Sequence, residues 1–328
     1  MIQAPEQRLL QWLLDGDVAI RYQAGRDLLD RDESELRERI ASEGWGAAFL
    51  SRRRSDGHWG QGYYRPKWTS THYTLLDLKH LAVSPDDERI RRSVAIALAG
   101  EKGADGGINP AVTVPLSDVC INGMFLGVAA YFGADQGELA SVVDFILSQR
   151  MGDGGFNCER DRAGATHSSL HSTLCVAEGI SEYVDDGYSY RAGELRAAEL
   201  GCREFMLRHR LFRSDRTGAV IDNRMLMLSY PSRWRYDILR ALDYFRSAGV
   251  PSDPRMEDAI AVVLRKRRPD GTWPLQARHP GRTHFEMESP GQPSRWNTLR
   301  ALRVLRHFAP GTWSDPESLI SAAGLSSS

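Results

Sequence analysis

The sequence predicts an all-α chain built from helical hairpins, on three observations. A turn signature recurs, the segments between its copies carry helical rather than strand-like apolar spacing, and no long stretch alternates apolar with polar residues. The turns are Asp56-Gly57-His58-Trp59-Gly60, Asp105-Gly106-Gly107-Ile108-Asn109, Asp153-Gly154-Gly155-Phe156-Asn157 and Asp270-Gly271-Thr272-Trp273-Pro274, with a weaker copy at Asp215-Arg216-Thr217-Gly218-Ala219. Asp-Gly supplies backbone with φ > 0, and the large residue two or three places on tucks the turn against a core. The first three aspartates stand 49 and 48 residues apart, a period that means stacked supersecondary units.

Each period reads as an apolar helix, a short loop, an amphipathic helix and then the turn. Thr69-Ser70-Thr71 is a cap cluster before a helix whose Leu75, Leu76, Leu78 and Leu81 share a face, and Ile90, Val94, Ile96 and Leu98 mark its amphipathic partner. Ser117-Asp118 precedes the apolar run Cys120–Phe132, followed by Leu139–Leu147, and Ser168-Ser169 precedes Leu170–Ile180. The later pairs are Trp234–Phe245 with Met256–Leu264 and Trp296–Phe308 with Glu317–Ala323. The first helix of each pair is apolar enough to be buried, while the second keeps a wet face. Residues 1–44 read as an N-terminal helical extension and 45–328 as the repeat domain.

Composition narrows the function classes. With 328 residues and 41% hydrophobic residues the chain can bury a sizeable core and is not disordered. A net charge of −1 supplies no global field for nucleic acid or an anionic membrane. No apolar run approaches the roughly 18–20 residues a membrane helix needs. The start, MIQAPEQRLLQWLLDGD, lacks the basic, apolar and small-residue sequence of a signal peptide. Four scattered cysteines, Cys120, Cys158, Cys175 and Cys202, are too few for a disulfide scaffold. A cytoplasmic protein is expected, each Cys being core filler or metal ligand. The basic run Arg265-Lys266-Arg267-Arg268 ends an amphipathic helix, where cations suit the negative helix end, and needs no nucleic acid.

Aligning the apolar helices through Thr74-Leu75, Thr173-Leu174 and Thr298-Leu299 puts His72, Cys120, His171, Tyr236 and Trp296 at one equivalent position. If these helices line an inner ring in parallel, the five side chains meet at one rim. Such a set is not what a plain core would choose, so the rim is the candidate site.

This pattern resembles the α/α toroid of protein prenyltransferase β subunits and squalene/terpenoid cyclases, over about residues 45–310. The prenyltransferases bind catalytic zinc through an Asp-x-Cys on one inner helix and a His opening the next; Asp118-Val119-Cys120 and His171-Ser172-Thr173-Leu174-Cys175 match, with Gly154-Gly155-Phe156 between them like the family's Gly-Gly turn. The opening stretch Trp12–Tyr22 is similar to small bacterial squalene-cyclase-like proteins. The resemblance implies a toroid of about five or six helical hairpins and a zinc held by Asp118, Cys120 and His171, which would activate a thiol or water nucleophile at the rim of an apolar cavity. The substrate would be a small molecule, a thiol or an isoprenoid, and an α-subunit-like partner is conceivable on the same ground. The family's diphosphate-binding Arg and Lys fall at Val112 and Pro115, a family His falls near Ser70, and the cyclases' Asp-x-Asp-Asp acid has no counterpart beyond Asp86-Asp87 and Asp185-Asp186. Ordinary prenyl transfer and class II cyclisation therefore each lose a key group.

Plainer readings stand beside these. Asp118 serves equally as a helix N-cap, and Cys120 as a small core residue. His72 is taken as a cavity-facing group, and as the acid, with Asp237 as its alternative, if the enzyme is a metal-free terpenoid cyclase. Tyr236 joins His72 and Asp237 as a candidate catalytic residue, and Arg233 and Arg235 beside it are candidates to bind a polar or anionic substrate, as are His167, four residues before His171, and Trp296. Glu286-Met287-Glu288 is a candidate to close over the ring's mouth. A third reading is a non-catalytic toroid that binds a hydrophobic ligand or partner.

Overall fold

The turns determine where the helices start. In the computed structural model, which describes residues 5–110 and 115–312, each Asp-Gly turn has its glycine at positive φ: 90° at Gly57, 85° at Gly106, 99° at Gly154 and 87° at Gly271. Only glycine adopts such angles without strain, so the dipeptide is a backbone requirement. The aspartate then clamps the approach to the next buried helix. Asp105 accepts from Ser117 N–H at 2.8 Å and from its hydroxyl at 2.7 Å, and Asp153 does the same with Ser168, at 2.8 Å to the N–H.

Helices alternate between fully and half buried. The chain runs through α1 (Pro5–Leu14), α2 (Val18–Leu29), α3 (Ser34–Arg39), α4 (Gly44–Leu50), α5 (Thr71–His80), α6 (Glu88–Gly100), α7 (Val119–Tyr131), α8 (Gln136–Ser148), α9 (Arg160–Ala163), α10 (Leu170–Asp185), α11 (Ala192–Arg208), α12 (Ile238–Ser247), α13 (Glu257–Arg265) and α14 (Arg295–Phe308). The only strands among the described residues are β1 (Trp273–Pro274) and β2 (Pro293–Ser294), an antiparallel pair. The all-α expectation holds. In α7 every residue from Ile121 to Ala130 is buried, while α8 buries only one stripe, Leu139, Val142, Val143, Phe145 and Ile146. Two of the half-wet helices carry side-chain caps: Asp87 on α6, accepting from Arg89 and Ile90 N–H, and Asp135 on α8, accepting from Gly137 and Glu138 N–H. No helix among the described residues is long and apolar enough to cross a membrane.

Three elements depart from expectation. The helix after Arg233 begins at Ile238 rather than Trp234, because Arg233 sits at φ 57° and Asp237 caps α12 by accepting from Arg240 N–H at 2.8 Å. Helix α10 runs on to Asp185, and its half-wet partner α11, with Leu195, Ala198, Cys202 and Met206 on one buried stripe, went unread. The expected Glu317–Ala323 helix lies outside the described residues.

The buried helices pack in succession: α5 on α7, α7 on α10, α12 on α14, and α14 on α2. Arg240 of α12 bridges to α10 through Glu178 at 2.5 Å, and Gln23 of α2 donates to His80 O at the end of α5. Helix α2 thus shares its core with α14. The α7–α10 contact is the tightest, with backbone against backbone at Gly123, Gly127 and Gly179. A Cβ at Gly123 would lie 2.7 Å from Cys175 O, and one at Gly179 would collide with Gly123 O. Gly179→Ala is expected to cost about 1–3 kcal/mol by forcing the helices apart, read as a lower midpoint in chemical denaturation.

Candidate functional site

The heads of α5, α7, α10 and α14 share one register. The register between them is set by hydrogen bonds from the turns: Thr71 Oγ1 accepts from Trp59 N–H (3.0 Å), Asn122 Oδ1 from Ile108 N–H (2.6 Å), Thr173 Oγ1 from Phe156 N–H (3.0 Å) and Thr298 Oγ1 from Trp273 N–H (2.9 Å). In this register Cys120, His171 and Trp296 remain equivalent, but the first helix aligns through Thr71, not Thr74. His72 therefore drops out of the set and Thr69 takes its place.

Sulfur is the centre of the site. Cys158, in the loop after the second Gly-Gly turn, accepts at Sγ from Cys120 N–H in the first turn of α7 (3.3 Å) and from the Ser172 hydroxyl of α10 (3.4 Å). The thiols of Cys120 and Cys158 lie near one another. That contact holds Cys158 below the usual thiol range and pushes Cys120 well above it, so the pair retains one proton at sulfur more readily than two separate thiols would lose both. Both are partly exposed, whereas Cys175 and Cys202 are buried, with thiols raised to about 12 and higher by burial.

Asp118 stands beside the sulfurs and caps nothing: α7 has no side-chain cap bond. Its Oδ1 lies 3.0 Å from Arg162, off the hydrogen-bonding line, and accepts no hydrogen bond there; burial raises its pKa above the ordinary carboxylate value. The exposed Lys67 ammonium lies 4.9 Å from the ring of Trp68 and 5.3 Å from that of Trp234.

His171 faces away from the thiols, toward the segment that precedes α12. Its Nδ1 accepts from Tyr236 N–H at 2.8 Å and its ring meets Trp234 edge-on at 5.3 Å. Burial, with Arg235 and Arg240 nearby, lowers it to about 4, so the ring is neutral with its proton on Nε2. Among the described residues no group of three or more His, Cys, Asp and Glu is placed to hold a metal ion.

The other predicted residues occupy packing and capping positions. His72 is buried, with Nδ1 at 2.9 Å from the Tyr63 hydroxyl and Nε2 without a partner; burial lowers it to about 3. Tyr236 donates its hydroxyl to Leu211 O, and Asp237, besides capping α12, accepts from the Ser229 hydroxyl. Arg233 forms a buried pair with Asp77 at 2.5 Å, and Arg235 lies over its neighbour Trp234. Trp296 stacks on Tyr230 at 4.6 Å. His167 is exposed and meets Arg216 at 3.2 Å. Val112 lies outside the described residues, and Pro115 is exposed.

Two cavities lie elsewhere among these helices, and Cys120, Cys158 and Asp118 line neither of them. One, of about 320 Å³, is lined from α2, α5, α7, α10, α12 and α14. It is not the apolar cavity expected: Lys79–Glu182, Arg240–Glu178 and Arg303–Asp243 pairs line it. The other, of about 550 Å³, lies under residues 275–288, between Trp68, Tyr230, Arg233 and Phe285. That strap is fastened by Trp68 Nε1 donating to Pro280 O (2.7 Å) and by His284 on Thr74 Oγ1 (2.9 Å); Glu288 accepts from Arg295 N–H (2.6 Å) at the head of α14.

Cys158 is the residue sequence reasoning passed over. It occupies the turn position held by Gln61, Pro110 and Leu275 in the other copies, and a lone thiol in that series was the available signal. Compared with known proteins, the chain matches no family model and no curated protein sequence.

Proposed function

We propose that the chain is an α/α-toroid enzyme of the prenyltransferase and terpenoid-cyclase kind, acting on a small polar substrate through sulfur at the head of α7. The succession of buried-helix contacts, and a cavity lined from six of those helices, support the ring. The observation that carries the chemistry is the pairing of Cys120 with Cys158 beside an under-bonded carboxylate. Ion pairs in the lumen favour a polar substrate, such as a small thiol, over a polyprene.

Zinc enters this proposal on a changed ligand set, Cys120, Cys158 and Asp118, which would have to draw together around it, since no three such groups among the described residues are placed to hold a metal. Two thiols and a carboxylate suit a borderline-soft cation, with Asp118 exchanging Arg162 for the metal. His171 does not fit as it stands, because its Nδ1 is taken by Tyr236 and its Nε2 carries the proton. When bound, the cation would supply a lowered pKa to a thiol or water in its open position. The chain's own contribution is a positive charge at Lys67 over Trp234, which attracts an anionic nucleophile, and Ser172, whose hydroxyl orients the Cys158 sulfur. A metal-free cyclase loses support at its acid, since a His72 held near 3 has no proton to give at neutral pH.

Elemental analysis tests the proposal. After zinc-replete expression, about one zinc per chain is expected, lost in Cys120→Ser and in Cys158→Ser but retained in His171→Ala. Loss in His171→Ala with retention in Cys158→Ser would restore the family's ligand set, and no zinc in the wild type would end the metal reading.

A further inference from the structure

Two thiols from segments far apart in sequence rarely meet by packing alone. Cys120 sits in the first turn of α7 and Cys158 in the loop after α8, yet Cys120 N–H points at Cys158 Sγ from 3.3 Å. Both are reached by solvent, and the other two cysteines are not. The Ser172 hydroxyl at 3.4 Å, together with Cys120 N–H, fixes the direction of the Cys158 sulfur, while Cys120 Sγ is left to approach it. The loop carrying Cys158 is anchored at the Asp153 clamp on Ser168 and by Cys158 N–H donating to Ser172 Oγ at 3.2 Å. With Cys120 N only 3.3 Å from Cys158 Sγ, the two residues lie within a side chain's reach of each other.

We propose that Cys120 and Cys158 form a reversible dithiol–disulfide pair, oxidised by hydroperoxides and reduced by small thiols. The Cys158 sulfur attacks the terminal oxygen of the hydroperoxide. The O–O bond breaks, the alcohol (or water) leaves with the thiol proton, and Cys158 becomes a sulfenic acid. The Cys120 sulfur then attacks Cys158, the S–O bond breaks, and the hydroxyl leaves as water with the Cys120 proton. Two electrons pass from the thiol pair to the peroxide, and two equivalents of an external thiol return them. Closure withdraws both sulfurs from the chemistry proposed above; the pair itself does not depend on zinc.

The test uses the full chain, reduced, stripped of metal with chelator and treated with stoichiometric hydrogen peroxide. Intact mass is expected to fall by two hydrogens, peptide mapping to place one disulfide between Cys120 and Cys158, and dithiothreitol to restore both. In Cys120→Ser, dimedone is expected to trap a sulfenic acid at Cys158. Oxidation of Cys175 or Cys202 first, or passage of Cys120 and Cys158 to sulfinic acids with no disulfide on the way, overturns the proposal. Wild-type mapping alone decides this should the variants fail to fold. A disulfide formed in protein that never binds zinc would sink the metal reading and leave this one standing.

Discussion

Asp243→Ala is expected to destabilise the protein by about 3 kcal/mol or more, although the residue touches no candidate catalytic group. Asp243 lines the smaller cavity where α2, α12 and α14 meet. It accepts from Arg303 Nε at 2.7 Å and Arg246 Nε at 3.0 Å, with Arg300 at 3.6 Å, and this holds its carboxyl far below the usual range despite burial. Its removal leaves Arg303 sharing Asp27 with Arg26, Arg300 with only the Asp237 carboxylate at 4.0 Å, and Arg246 without its ion pair. Each cation has been taken largely out of water, and little is returned when the shared anion goes. Breaking such a pair usually costs about 3–5 kcal/mol, and access to the cavity's water puts this one at the lower end. Chemical denaturation of Asp243→Ala, Arg303→Ala and the double variant checks it. A double loss well below the sum of the single losses is expected, and additive losses would mean that the network holds nothing together.

How much of this was legible in the sequence differs by level. The turn was fully readable, because Asp-Gly at positive φ is a local property. Helix α7 was readable because it is apolar all round, and the other buried helices by the helical spacing of their apolar residues. Helix α11 escaped because its stripe is interrupted by Glu194, Arg196, Glu199 and Arg203, of which Glu199 is buried between Arg196 and Arg203. A buried carboxylate breaks an apolar pattern while completing an ion-pair network, and spacing alone cannot tell the two apart. The rim was half readable. Cys120 and His171 occupy equivalent places, as the repeat required, yet equivalence fixes where a side chain begins and not where it turns. His171 turns to Tyr236 N–H, a partner supplied by an irregular segment that no periodicity describes. The slip at His72 has the same origin, since Thr71 and Thr74 both hydrogen-bond near the head of α5 and only Thr71 reaches the turn.

Acid is expected to strip stability from the protein through His72, and the sign can be worked out. Burial lowers this imidazole from 6.5 to about 3, with the Arg233 charge adding to the effect. Above pH 6.5 the ring is neutral whether the chain is folded or not, and its contribution is intact. Below 6.5 the unfolded chain takes up a proton that the folded chain refuses, so stability falls as pH drops toward the folded value. At 1.36 kcal/mol per unit, about 3 kcal/mol is lost between pH 6.5 and 4. His171, His279 and His284, each lowered to about 4, act in the same direction but are more open to water and contribute less. Asp77 opposes them. Burial raises it to about 6, more than Arg233 offsets, so the folded state binds its proton first and gains stability over much the same range. Net acid sensitivity therefore mixes the His72 effect with contributions of both signs, and a difference measurement is needed. The stability of wild type minus that of His72→Asn is expected to fall by about 3 kcal/mol from pH 6.5 to 4. The substitution keeps a polar group beside Tyr63 and removes only the titration. A difference that stays level would mean that His72 accepts a proton within the folded protein, and with it the role of acid would return to that residue.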